Sequence, residues 1–327
     1  MSVRKTEGRI PEGLQPDDLG EAIVSGDGRS CLVSFVTAPL VPERSNTYVV
    51  FVTDAALASS VESFEWSFAE NATPVVKTTE AGQIDYLPTA EGYLTVTVRL
   101  LDAGASEQGT LSLTQQIGPL NAELEEKIAQ ATDTPGPGIG NPDVLRELVN
   151  DHNPYYLNVA LQTPEAGDGF KKLVFSTVYD GALKRTPAVR AEQVNRAADS
   201  LNTGAPDFIA SVAPGLGVAA VRLSLAAMLL PPNAIPFTEL PDATAGNLAA
   251  DEELRAKLAA LSEDDRVDLF NRARFPKTNI VLCAKLLETL RDRFFSGVNF
   301  DDVLTKMSGT MSEWILLNYA RGPLHRS

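Results

Sequence analysis

Leu94-Thr95-Val96-Thr97-Val98-Arg99-Leu100 alternates apolar and polar side chains without a break. That is the period of a β-strand with one face on a core and the other in water. Outward from it, similar short runs separated by turn residues lie at 31–37, 47–53, 63–68, 74–79, 83–87, 93–101 and 110–117. Strands this close together, over about ninety residues, predict an antiparallel sandwich. Trp66, within Phe64-Glu65-Trp66-Ser67-Phe68, falls where such a sandwich holds its central aromatic.

Beyond residue 117 the pattern changes. A short helix is expected at 121–131, and then Thr132-Asp133-Thr134-Pro135-Gly136-Pro137-Gly138-Ile139-Gly140-Asn141-Pro142 alternates proline and glycine. Such a stretch loses both helix and ladder hydrogen bonds and reads as a linker. From residue 142 on, apolar residues recur with the helical period. Helices are predicted at 142–150, 169–184, 188–201, 219–230, 250–260, 263–272, 278–295, 300–307 and 311–320. The clearest is 278–295, where Ile280, Cys283, Leu286, Leu287, Leu290 and Phe294 share one face. Ser262-Glu263-Asp264-Asp265 has the form of an N-cap followed by first-turn acids. The expected division is an N-terminal extension (1–28), a β-sandwich (29–118), a helix and Pro/Gly linker (119–141) and an α-helical domain (142–327). The 327 residues are about twice the length usual for one domain.

Composition narrows the chemistry. Hydrophobic residues make up 44% and charged residues 22%, a globular balance. With 28 Lys+Arg against 43 Asp+Glu the formal charge is −15, which repels phosphate backbones and anionic lipid headgroups. Nucleic acid and membrane are therefore not expected partners. No apolar run approaches the ~20 residues of a membrane span, and residues 1–11 lack the apolar region of a secretory signal. The chain is expected to be made in the cytoplasm without a classical signal peptide, with release as part of a particle or by non-classical export. The two cysteines, Cys31 and Cys283, sit between apolar neighbours and are expected as buried free thiols. Only two histidines are present, His152 and His325. Zinc sites and Cys–His or Ser–His–Asp nucleophiles need more of these groups in one place. No metal or cofactor is expected, and carboxylates are left as the main candidates for catalysis.

Two segments resemble known families. The Trp66-Ser67-Phe68 strand, the turn before Tyr93 and the strand Gly92-Tyr93-Leu94-Thr95-Val96-Thr97-Val98 are similar to immunoglobulin-like modules of the polycystic-kidney-disease repeat type. In the helical half, the segment from Gly215 to Ala227, with Gly215 and Gly217 opening it, resembles a glycine motif of the lysozyme-like superfamily. That superfamily includes lytic transglycosylases and phage or injection-system lysozymes, and there the motif lines the floor of the glycan cleft. Downstream, Thr278-Asn279-Ile280 through Leu290 is similar to the helix packed beneath that cleft. The resemblance implies an all-α lysozyme-like domain, a peptidoglycan substrate and one carboxyl that protonates the glycosidic oxygen. Such a carboxyl works from a partly apolar pocket, which keeps it protonated near neutral pH.

The matching position, at the end of the 169–184 helix, is Asp180, where the superfamily has glutamate. Glu192 and Asp199 on the next helix are further carboxylates that could serve instead. Gly215, Gly217, Arg222 and Ser224 are then expected along the cleft floor, and Tyr155 and Tyr156 as aromatics that grip sugar. Ala220 replaces the usual glutamine and Leu225 the usual threonine. Two functions follow as expectations. One is a peptidoglycan-directed protein that cleaves glycosidic bonds. The other is a catalytically inactive glycan-binding or structural component of a phage-tail-like or contractile injection assembly, docked through the β module.

Overall fold

The computed structural model describes residues 3–71, 73–119, 187–204, 215–229 and 258–294, with a few single positions besides. Strands β1 (Glu21–Val24), β2 (Ser30–Ser34), β3 (Asn46–Val52), β4 (Ser63–Glu70), β5 (Thr73–Thr79), β6 (Gln83–Tyr86), β7 (Gly92–Leu101) and β8 (Glu107–Ile117) occupy the N-terminal part. They form two four-stranded antiparallel sheets, ordered β1-β2-β3-β6 and β5-β4-β7-β8. The alternation in β7 sets its register against β8. Val96 and Val98 face the interior opposite Leu113 and Leu111, while Thr95 and Thr97 meet Thr114 and Ser112 on the wet side, with hydroxyl separations of 3.0 and 3.1 Å.

Between the sheets, Phe64, Trp66 and Phe68 of β4 pack with Leu32, Tyr48, Val50 and Val52 of the other sheet. The polar tips of the aromatics are satisfied. The Trp66 indole N–H donates to Thr79 Oγ1 at 2.8 Å, and the Tyr48 hydroxyl to Gln115 Oε1 at 2.9 Å. The Gln115 amide in turn donates to Val36 O (2.9 Å) and Glu21 Oε2 (2.7 Å). A buried chain of this kind, with each member paired, costs little and rigidifies the core.

The opposite face of β2 and β3 is also covered. Cys31, Val33, Val49 and Phe51 form a second apolar layer with Leu19 and Phe275, all nearly inaccessible. The Phe275 ring lies 4.6 Å from Phe35 and 5.8 Å from Phe51. This corrects the fold class expected from the sequence, an independent immunoglobulin-like sandwich followed by a separate all-α lysozyme-like domain. A free sandwich leaves the outward faces of both its sheets in water. Here an N-terminal strap and the helical region close over one of them, and β1 falls within the segment expected as an extension.

The strap is residues 3–19. It holds a 3-10 turn (Lys5–Glu7) and a short helix α1 (Pro16–Leu19). Gly20 joins it to β1 so closely against β2 that a Cβ there would stand 1.9 Å from Ser34 O. Further along come α2 (Ala55–Ser60), α3 (Pro187–Thr203), α4 (Leu223–Ala226), α5 (Glu263–Arg274) and α6 (Pro276–Phe294). The Ser262 hydroxyl accepts from Asp265 N at 3.0 Å, so α5 begins at the expected cap. Pro276 opens α6, whose Ile280, Cys283, Leu286, Leu287 and Leu290 are buried along the expected stripe. The helix predicted at 219–230 is cut short. Val221 N bonds back to Leu216 O at 2.9 Å and Ala220 sits at φ 52°, so helical geometry begins only at Leu223. The helices predicted at 142–150, 300–307 and 311–320, and the Pro/Gly linker, lie outside the described residues, as does most of 169–184 and of 250–260.

Candidate functional site

The glycine segment and the Asn279 helix, sixty residues apart in sequence, meet in the structure. Leu216 and Val221 exchange both backbone hydrogen bonds, at 2.8 and 2.9 Å, and close a tight turn over Gly217–Ala220. Gly217 has φ 70°, a left-handed conformation natural to glycine. Its missing side chain is also needed for space, since a Cβ would lie 2.3 Å from both Ala273 O and Asn279 Nδ2. Gly215 is constrained in the same way, with φ 87° and the Ala220 carbonyl oxygen 2.1 Å from where its Cβ would be.

What fills that space is the Asn279 carboxamide, itself fully buried. Its Nδ2 donates to Leu216 O (2.9 Å) and Ala273 O (2.8 Å), and its Oδ1 accepts from Ala219 N (2.8 Å). One side chain thereby satisfies three backbone groups, two in the glycine turn and one in the last turn of α5, while Leu216, Val218, Val221 and Leu223 of the turn segment are themselves buried. Among the described residues, those that make these bonds carry no titratable or nucleophilic side chain. The chemistry of the arrangement is that of a structural lock.

Of the other expected site residues, the structure describes Glu192, Arg222 and Ser224. Glu192 lies on α3 with its side chain 67% exposed and pairs with Arg196 one turn on, at 2.8 Å. Arg222, half-buried, follows the turn, and Ser224 lies within α4. Asp180, Tyr155 and Tyr156 lie outside the described residues. Among the described residues no group of three or more His, Cys, Asp or Glu side chains is placed to hold a metal ion. No described helix is long and apolar enough to cross a membrane. Cys31 and Cys283 are buried and unlinked, and burial pushes the Cys31 thiol up to about 12, which keeps it protonated and unreactive.

The sequence reading missed a concentration of buried charge elsewhere, at the strap. Glu7, on the strap, is 1% exposed, and its Oε2 accepts the Gly82 N–H at 2.8 Å. Burial raises its pKa, opposed by that N–H and by the charges of Arg274 and Arg4. Arg274, at the end of α5, is equally enclosed, its guanidinium carbon 5.1 to 5.7 Å from the centroids of Phe51, Phe270 and Phe275. It donates to Gln83 Oε1 and Thr6 O, both at 3.0 Å. Burial lowers its pKa to about 10, opposed by Glu7. The one sequence signal for this cluster is three bases, Arg4, Lys5 and Arg9, within the first nine residues of an acidic chain. The chain matches no known family, no curated protein and no solved structure.

Proposed function

We propose that this protein is a non-catalytic structural component that docks into a larger protein assembly through its β region. The observation that carries the reading is the closure of the Gly215–Val221 turn. Backbone that the lysozyme-like resemblance assigns to a cleft floor is buried, and the Asn279 side chain occupies the space above Gly217. Space filled by the protein's own carboxamide leaves a sugar no room above Gly217, and Leu216 O and Ala219 N are already bonded. The glycines thus serve helix and loop packing, the other role that close backbone approach can have. The β region supplies a surface suited to docking. Among the described strands β5 is the edge of its sheet, and its Val75 and Val76 are 48% and 56% exposed.

The test is incubation of the full chain with purified bacterial cell walls, followed by turbidity and by release of soluble glycan fragments. The expected result is no clearing and no fragments. Clearing that disappears in Asp180→Asn would overturn the proposal and return the chain to the glycosidases. Co-sedimentation with intact walls, without clearing, would make the assembly wall-directed and keep the non-catalytic role.

A further inference from the structure

We propose that the N-terminal strap, residues 3–19, is an electrostatic latch that opens as a unit and uncovers the outer face of the β1-β2-β3-β6 sheet while both sheets stay paired. Three bases on the strap reach acids on two helices. Arg4 pairs with Asp199 on α3 at 3.1 Å, Lys5 with Glu263 on α5, and Arg9 with Asp264 (2.7 Å) and Asp268 (2.6 Å) on α5. Asp268, with 7% of its side chain exposed, is the one deeply buried partner, and it also accepts from Glu12 N at 2.8 Å. The rest of this rim is open to solvent, where ions screen charge pairs over ~8 Å at physiological salt.

Beneath the rim the seat is incompletely satisfied. Asn271 donates to Thr6 O (3.1 Å) and Arg9 O (2.9 Å), but its Oδ1 is buried without a partner, as are Arg272 Nε and Arg274 Nε on the same helix. A buried polar atom without a partner weakens the closed state relative to one that water can reach. Few apolar side chains offset this. Val3 reaches the inter-sheet core and Leu19 the outer layer, both covered, with Ile10 and Leu14 partly so. The sheets, by contrast, are held by continuous ladders and the aromatic core around Trp66. Opening should therefore begin at the strap, since free energies of local opening vary across a structure and are lowest where apolar contacts are few.

Cys31 provides the readout. It lies in the apolar layer that Leu19 closes, whereas Cys283 is buried on α6. The native full chain is exposed to N-ethylmaleimide at about 0.05 and about 0.5 M salt, and labelling of each cysteine is followed by peptide mass spectrometry. The expected result is Cys31 labelling about tenfold faster at high salt, the combined effect of several screened surface pairs, with Cys283 unchanged. The triple variant Arg4→Ala, Lys5→Ala, Arg9→Ala should label Cys31 rapidly at low salt and lose the salt response. The charge-conserving triple Arg4→Lys, Lys5→Arg, Arg9→Lys should keep it. Equal labelling of both cysteines under every condition would mean global opening only, and a salt-independent Cys31 rate would remove the electrostatic element. Either result overturns the proposal.

Discussion

Replacing Asn279 by alanine is the most direct perturbation of the lock between the glycine turn and α6. The carboxamide makes three hydrogen bonds, to Leu216 O, Ala273 O and Ala219 N, each between 2.8 and 2.9 Å. Alanine leaves all three backbone groups buried, with a small void that water reaches poorly. At about 1–3 kcal/mol for each orphaned group, with partial relaxation, the expected loss is about 4 kcal/mol. That is a large share of the ~5–15 kcal/mol that holds a typical domain. Urea unfolding followed by far-UV circular dichroism should show the midpoint of the helical signal falling well below that of wild type. Asn279→Asp should be worse at neutral pH, because it places a charge against two carbonyls. It should recover partly in acid, where a protonated carboxyl can again donate. A loss under about 1 kcal/mol for Asn279→Ala would refute the reasoning, since three unpaired buried groups cannot be that cheap. An unchanged midpoint with weakened binding to cell walls would return the side chain to a ligand-facing role.

Gly217→Ala should destabilise by about 3 kcal/mol or more, from left-handed strain plus displacement of Asn279, and calorimetry would register it as a lower melting temperature. Phe275→Ala empties the ring site between Phe35 and Phe51 and should cost about 3–5 kcal/mol. Hydrogen exchange should rise first at β2 and β3, and exchange unchanged from wild type would contradict the shared core. Glu70 is pushed up by partial burial, but bonds from Thr89, Ala90 and Tyr86 outweigh this and hold its pKa below the ordinary value. Its contribution is therefore present above about pH 4.3 and lost as pH falls through the lower folded value, with amide protection at Thr89 and Ala90 as the measure. Glu7 has the opposite sign. Its folded pKa is raised, so its contribution is complete below about pH 4.3 and lost as pH rises through the folded value. Arg4 on its own turn, Arg274 on α5 and the Gly82 amide face it, burial outweighs them, and strap amide protection factors should fall over that rise.

Much of the local structure was legible. Residues 94–100 could hardly be other than a half-buried strand, and β2 to β8 lie on runs read from alternation and turn residues. Ser262 and the apolar stripe through Leu290 located α5 and α6 for similarly local reasons. One signal of the tertiary arrangement lay unread in Tyr48-Val49-Val50-Phe51-Val52. A strand without alternation is apolar on both faces and asks for cover on both, yet nothing in the run says what provides it. Likewise, Gly215 and Gly217 announced a close approach without naming what approaches.

Strand period, helix caps and buried stripes depend on neighbours a few residues away, and the amino-acid order settled them. The strap over the outer sheet face, Phe275 in the second apolar layer and Asn279 in the glycine turn join residues tens to hundreds of positions apart. Only tertiary structure decided those pairings, because an apolar face or an unpaired carbonyl specifies that it must be covered, while shape and charge in the folded chain select the group that covers it.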